Sequence, residues 1–145
     1  MPTNVVDGLA GKVVSGEGPH IRRLSCVAGG AIAAGDLVKY SGADTVIRSA
    51  ATTDEHLGYA ERSSTKGSTA FASGDEVTVI ALGSPCVMMV NTFGTVTRGK
   101  LAVASATPYL VTDAGALALT VRSAGSYVAS RTGAGVVQLN PAGSA

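Results

Sequence analysis

Apolar and polar residues along this chain alternate in short runs that favour β-strands, and turn residues separate these runs about every 8–12 residues. The three- and four-residue spacing of apolar side chains that is typical of helices is missing. The run EVTVIAL, residues 76–82, predicts a strand covered on both sides, because its apolar side chains alternate onto both faces. The pattern as a whole predicts an all-β fold, either a small β-barrel or a β-sandwich.

One short pattern around a glycine occurs three times, at Gly35, Gly74 and Gly99. Glycine adopts positive φ at little steric cost, so we expect these glycines to form turns that lead into the next strand. Residues 31–42 match residues 95–106 over the first and third copies, which predicts a weak internal duplication into two similar β lobes. The apolar residues that flank the glycines are, copy by copy, Ile32 and Leu37, Phe71 and Val77, and Val96 and Leu101.

The beginning of the chain differs in composition from the rest. Residues 1–20 hold four glycines and two prolines, which predicts an extended N-terminal arm. Residues 21–145 then form a single β-rich domain, as the length of 145 residues allows. Aromatic residues make up 4% of the chain and Trp does not occur, so the core consists mainly of Ala and Val. Because small side chains bury little area, we expect association with other chains to supply part of the stability.

Charge and hydropathy argue against two classes of partner. The chain has 11 Lys and Arg against 10 Asp and Glu, and its densest basic pair is Arg22 and Arg23. A nucleic-acid-binding surface normally carries a longer basic stripe. Apolar runs stay well below the roughly 18 residues that span a bilayer, and the first residues do not resemble a signal peptide. We therefore expect synthesis in the cytoplasm and no nucleic-acid or membrane partner.

Two motifs come close to known active-site patterns without completing them. Residues 94–101 satisfy G-x-x-x-x-G-K, but Leu101 stands where a phosphate-binding loop needs Ser or Thr, and no helix is predicted after it. Ser63 and Lys66 have the spacing of a serine nucleophile and a lysine base, without the companion motifs of such enzymes. We interpret the first motif as a turn and the second as a polar loop, and expect neither catalytic nor cofactor-binding residues.

Residues 54–56, Asp-Glu-His, could contribute to a metal site, but adjacent side chains rarely point at one ion, so a solvated turn is favoured and no metal is expected. Cys26 and Cys86 stand alone in the sequence and are interpreted as buried free thiols. Met88 and Met89 favour a core position over an adaptable contact surface.

Four segments of the sequence together point to a known family: AGGAIAAGDLVKYSG, HLGYAERS, SGDEVTVIALGSPCVMMV and TVTRGKLAVAS. In this order they resemble the small capsid cement, or decoration, proteins of tailed bacteriophages. The resemblance implies a barrel- or tulip-like β domain that forms a homotrimer on the capsid exterior and bridges neighbouring copies of the major capsid protein. It implies no enzymatic activity, and its motifs mark turns and strands rather than functional residues. The chain departs from the family in a longer loop between Arg62 and Gly74.

Other functions remain open at this point. The chain could be another virion surface module, such as a head-fibre base or a β domain that binds the host or a glycan. A small hydrolase that uses Ser63 is a third possibility. Arg22 and Arg23 are candidates for capsid contacts, with a solvated strand edge as the alternative. Glycan sites usually present exposed aromatic rings, and the tyrosines available for that purpose are Tyr40, Tyr59, Tyr109 and Tyr127.

Overall fold

The structure, a computed structural model, describes residues 10–15, 20–63, 70–105, 110–114 and 122–142. Within these ranges the chain forms thirteen β-strands and no helix, which confirms the predicted all-β fold. A membrane-spanning helix is accordingly not found in the described ranges. The strands are β1 (Val13–Ser15), β2 (Arg23–Ala28), β3 (Ile32–Ala33), β4 (Leu37–Tyr40), β5 (Thr45–Arg48), β6 (His56–Ala60), β7 (Ala70–Phe71), β8 (Glu76–Ala81), β9 (Val87–Thr92), β10 (Ala102–Ala104), β11 (Val111–Asp113), β12 (Ser126–Tyr127) and β13 (Gly135–Asn140).

Five strands from the first half of the chain close into a barrel in the order β2-β5-β4-β6-β8. Strand β2 pairs in parallel with β5, and the other neighbours are antiparallel. Closure pairs both edges of each of these five strands. The short ribbon β3–β7 belongs to the same lobe and shares its hydrophobic cluster. The buried residues of that cluster are Cys26, Ala28, Ile32, Ala34, Val38, Val46, Ala60, Phe71, Val77 and Val79.

The second lobe is a six-stranded sheet in the order β10-β11-β9-β13-β12, with β1 also paired to β9. Strand β9 is central, because it pairs with β13 over five positions and with β1 and β11 along its other edge. Met88 and Met89 on this strand are fully buried, so the core interpretation of this pair is confirmed.

Three side chains on the outside of the barrel join the two lobes. Leu37, Tyr59 and Ile80 belong to the hydrophobic cluster of the second sheet rather than to the barrel interior. The Tyr59 hydroxyl donates a hydrogen bond of 2.8 Å to the carbonyl of Ala124. Strand β8 is therefore covered on both faces at its C-terminal half, as its alternation predicts, while Thr78 is exposed.

The three copies of the glycine pattern fold into the same turn. Gly35, Gly74 and Gly99 have φ values of 89°, 94° and 89°. In each copy the residue after the glycine donates its N–H to the carbonyl three positions earlier, at 3.1, 3.0 and 3.1 Å. A positive φ at the third position of such a turn is typical of type II, which strongly favours glycine there.

The two lobes differ in topology, although each contains a copy of the repeated segment. Residues 31–42 include β3 of the short ribbon and β4 of the closed barrel, whereas the described part of residues 95–106 includes β10 of the open second sheet. Of the predicted arm, residues 1–9 and 16–19 lie outside the described residues. Residues 10–15 pack on the body, since β1 pairs with β9 and Gly11 donates its N–H to the Met89 carbonyl at 2.7 Å.

Candidate functional site

An open pocket of about 370 Å³ lies where the first glycine turn meets the second sheet. Its walls come from both lobes, so the pocket exists only when barrel and sheet are docked. The lining residues are Ala33, Asp36, Arg48, Asn91, Thr92, Leu110, Ala134 and Gly135.

Asp36 is the central charged residue of this pocket and is only 2% exposed. Its Oδ2 accepts a hydrogen bond of 2.9 Å from the Ala33 N–H within the turn. Its Oδ1 accepts a bond of 3.0 Å from the side-chain amide of Asn91, which also donates to the Ala34 carbonyl at 2.8 Å. The carboxylate thereby ties the turn to strand β9 of the other lobe.

Arg48 at the end of β5 completes the set, with its Nε 2.9 Å from Asp36 Oδ2. The contact has the distance of an ion pair, but the direction of the Nε–H does not meet the geometry of a hydrogen bond. Burial raises the pKa of Asp36, and the hydrogen bonds from Ala33 and Asn91 and the positive charge of Arg48 act in the opposite direction. We call these four residues the Asp36 junction.

The Asp36 junction suits a structural joint better than a catalytic site. A general base must be accessible to the reacting proton, whereas Asp36 is almost fully buried and its carboxylate is already contacted by the Ala33 N–H, the Asn91 amide and Arg48. A buried carboxylate with several donors instead holds the elements that carry those donors at fixed positions. The geometry therefore joins β3, β5 and β9.

In the other two turns a carboxylate also accepts from the equivalent N–H group, but in the third turn this carboxylate comes from another strand. Asp75 Oδ2 accepts a bond of 2.8 Å from the Ala72 N–H, as Asp36 does in its own turn. The third copy has Lys100 at this position, and Asp113 from β11 supplies the carboxylate instead, 3.2 Å from the Thr97 N–H. The sequence pattern contained the glycines, but it did not show this shared carboxylate.

Asp54, Glu55 and His56 point to different partners. Asp54 accepts hydrogen bonds of 3.0 Å from the N–H groups of Ala51 and Ala50. These bonds, together with the Lys39 ammonium 3.0 Å from Asp54 Oδ1, lower the pKa of Asp54 to about 2. The Glu55 side chain is largely exposed, 3.7 Å from an Arg122 nitrogen. In the described parts of the chain, no three His, Cys, Asp or Glu side chains are grouped for a metal ion.

His56 is half-buried at the start of β6. Its Nδ1 lies 2.9 Å from the Ser49 hydroxyl, and its Nε2 is buried without a hydrogen-bond partner. Burial lowers the pKa of this imidazole; Asp54 raises it, and the positive charges of Arg122 and Lys39 lower it further.

The remaining sequence motifs take ordinary structural positions. Residues 94–101 contain the third glycine turn and lead into β10, as the turn interpretation predicts. Lys66 lies outside the described residues, so the interpretation of the Ser63–Lys66 motif as a polar loop stays a prediction. Cys26 and Cys86 are free and buried, as predicted, and they belong to different clusters.

Arg22 and Arg23 are both exposed, at and beside the start of β2. The Arg23 Nε lies 3.0 Å from Glu61 Oε1, within an ion pair on the barrel surface. Arg22 donates its backbone N–H to the Ser84 hydroxyl at 3.1 Å. Their contact with a capsid remains a prediction.

One surface feature was not visible in the sequence, because its residues come from four separate segments. At one end of the barrel, exposed apolar side chains lie next to acidic ones; Val27 is 38% and Tyr40 is 47% exposed. We call this feature the acidic rim. It consists of Val27, Tyr40, Asp44, Asp75 and Glu76.

Comparison with known proteins gives a sequence match and a fold match. Residues 3–143 match the family described as XM1 gp53 minor capsid protein. The fold is similar to the crystal structure of the head fiber gp8.5 N base in bacteriophage phi29, with a TM-score of 0.55 and 14% sequence identity. That likeness covers 83% of this chain and 92% of the phage protein chain. No curated protein sequence matches the chain significantly.

Proposed function

This chain belongs to the XM1 gp53 minor capsid protein family, a structural family of the phage virion, and we propose that it is a decoration protein of the phage head. In this proposal it binds the outer surface of the head as a homotrimer and strengthens contacts between neighbouring major capsid proteins. It is made in the host cytoplasm and acts without a cofactor. Its role is adhesion rather than catalysis.

The observation that carries the proposal is the extent of the family match. Residues 3–143 include both the barrel and the second sheet, so the capsid family corresponds to the whole two-lobed body. The resemblance to capsid cement proteins noted in the sequence points to the same location.

The surface is suited to binding other proteins. Large apolar side chains are exposed on both lobes, and such residues contribute contact area in interfaces. A trimer would present each contact three times, so that weak individual contacts add up to stable attachment. The exposed large apolar residues are Val14, Val27, Tyr40 and Phe93.

Electron microscopy of heads incubated with the purified chain tests the proposal. We expect added density on the outer surface at local threefold positions, and heads that withstand heating better than undecorated heads. The matched control is the same preparation without the chain. Heads that neither bind the protein nor gain stability would rule out the decoration role.

A head-fibre base is the second candidate, and the similarity to the phi29 head fiber N base favours it. In that case the β body would anchor a projecting structure rather than cement the shell. Microscopy of intact virions separates the two roles, because a base is continuous with a rod that extends outward, whereas a decoration protein ends at its own density. Heat resistance of the head would then not depend on the chain.

A further inference from the structure

We propose that the acidic rim of the barrel is a docking surface for a second copy of this chain, and that the occupant is the basic turn at residues 97–100. The inference rests on the proposed function, since it assigns the contact between subunits of the proposed trimer. It arises from a contrast among the three glycine turns. The first turn is buried in the Asp36 junction, whereas the other two are exposed and carry opposite charges.

Hydrogen bonds hold the second turn against the rest of the rim. Gly74 donates its N–H to the Ala28 carbonyl at 2.8 Å, and Ala28 donates its own N–H to the Asp75 carbonyl at 2.8 Å. Glu76, the next residue, lies directly opposite Val27 in the β2–β8 pair. An exposed valine is thus flanked by the carboxylates of the turn.

The remaining two rim residues lie on the other side of Val27. Val27 donates its N–H to the Asp44 carbonyl at 2.8 Å. Burial raises the pKa of both Tyr40 and Cys26, which lie close enough to influence each other, and the charge of Asp44 raises both pKa values further. The rim therefore combines two exposed apolar side chains with negative charge from two segments.

The third turn is the positive counterpart. Its backbone is anchored, because Arg98 and Gly99 donate their N–H groups to the Ser130 hydroxyl and the Tyr127 carbonyl, each at 2.9 Å. Arg98 and Lys100 are exposed, and among the residues that the structure describes neither side chain takes part in an ion pair. Space around Gly99 is open, since an added Cβ would meet no atom within 4 Å.

The symmetry of a trimer explains why these two patches would meet. A threefold ring is built from heterologous contacts, in which one patch of each subunit binds a different patch of the next. The rim lies on the barrel and the basic turn lies on the second sheet, so each subunit offers one of each. Opposite charges select partner and register, and the exposed Val27 and Tyr40 add apolar area.

Charge reversal tests the contact in solution by sedimentation or light scattering. We expect Arg98→Glu with Lys100→Glu, or Asp44→Lys with Glu76→Lys, to raise the dissociation constant of the trimer about tenfold. Combining all four changes should restore association, because the charges again complement each other. Asp75 is left intact in these variants, since it caps its own turn.

A matched control reverses two exposed charges outside both patches. Glu55→Lys with Arg122→Glu exchanges the members of a surface pair whose side chains are 86% and 55% exposed. This control should leave the trimer unchanged. As an independent readout, Glu76→Cys with Arg98→Cys should give disulfide-linked trimers on oxidation, whereas either change alone should give no linked rings.

The outcomes separate this contact from the proposed function. A trimer that both reversals leave intact, and that the cysteine pair does not link, would overturn the contact while keeping the trimer. A wild-type chain that is monomeric in solution and on heads would overturn both the contact and the trimer. Binding of the same variants to purified heads is measured in parallel, so that a failed decoration role is recognised by its own result. Reversal of the rim alone that abolishes head binding without changing the trimer would assign the rim to the shell instead.

Discussion

Ile32 and Phe71 lie opposite each other in the antiparallel ribbon β3–β7, so the first two copies of the glycine pattern pair with one another. Both side chains are buried, at 1% and 3% exposure, in the cluster of the barrel lobe. The apolar residue that precedes each turn is therefore a core residue. It anchors its own turn and also covers its counterpart.

This pairing predicts coupled losses of stability. Ile32→Ala should lower the free energy of unfolding by about 2–5 kcal/mol and Phe71→Ala by about 3–5 kcal/mol, because each leaves a cavity. The double variant should lose less than the sum, since the two side chains border the same space. Urea denaturation at a fixed protein concentration measures all three. Val14→Ala, at an exposed position, is the control, and strictly additive losses would contradict the shared cavity.

The Asp36 junction predicts that two equivalent turn carboxylates differ in importance. Asp36→Ala should lower the free energy of unfolding by about 3 kcal/mol, because it leaves the charge of Arg48 without its partner in a mostly buried site. Asp75→Ala should cost about 0.5–1.5 kcal/mol, as expected for a hydrogen bond near the surface.

Denaturation curves measure the free energy of unfolding of Asp36→Ala, of Asp75→Ala and of the double variant Asp36→Ala/Arg48→Met. The double variant should recover part of the loss, because no unpaired charge remains. Equal losses for Asp36→Ala and Asp75→Ala would show that the junction contributes nothing beyond the local turn.

The glycine turns predict a second contrast. Gly74→Ala should cost about 1–2 kcal/mol, from the strain of a positive φ alone, because the space around it is open. Gly35→Ala should cost more, since its added Cβ would lie 3.1 Å from both the Ala10 Cβ and the Gly11 nitrogen. Thermal unfolding of the two variants provides the test. A smaller loss of stability for Gly35→Ala than for Gly74→Ala would mean that residues 10 and 11 move aside freely.

His56 predicts a dependence of stability on pH. Burial lowers its pKa in the folded state below the ordinary value of 6.5, so unfolding takes up a proton in this range. The stabilising contribution of the neutral imidazole is complete above about pH 6.5 and decreases as the pH falls below that value. His56→Gln should remove this component of the pH dependence. Free energies of unfolding measured between pH 7.5 and 5 check the difference in slope, and identical slopes would contradict it.

Much of the local structure could be predicted from the sequence, because it depends on residues close together in the chain. Strand alternation in residues 76–82 and the lack of helical spacing depend on backbone geometry, and the structure confirms the all-β fold that they predict. Glycine adopts a positive φ with little strain. Gly35, Gly74 and Gly99, each three positions after an apolar residue, all have a positive φ. The single cysteines likewise indicated free, buried thiols.

The division into a closed barrel and a second sheet was decided only by tertiary structure. The three turns are alike locally, but Asp36 is buried because Asn91, 55 residues further on, comes to lie against it. Asp75 is half-buried and Lys100 is exposed, so their turns lie at the surface with opposite charges. The conformation of a turn depends on a few adjacent residues, whereas its burial depends on which distant strand packs against it. The conformation of a turn can therefore be predicted from its local sequence, whereas its burial follows only from the complete fold.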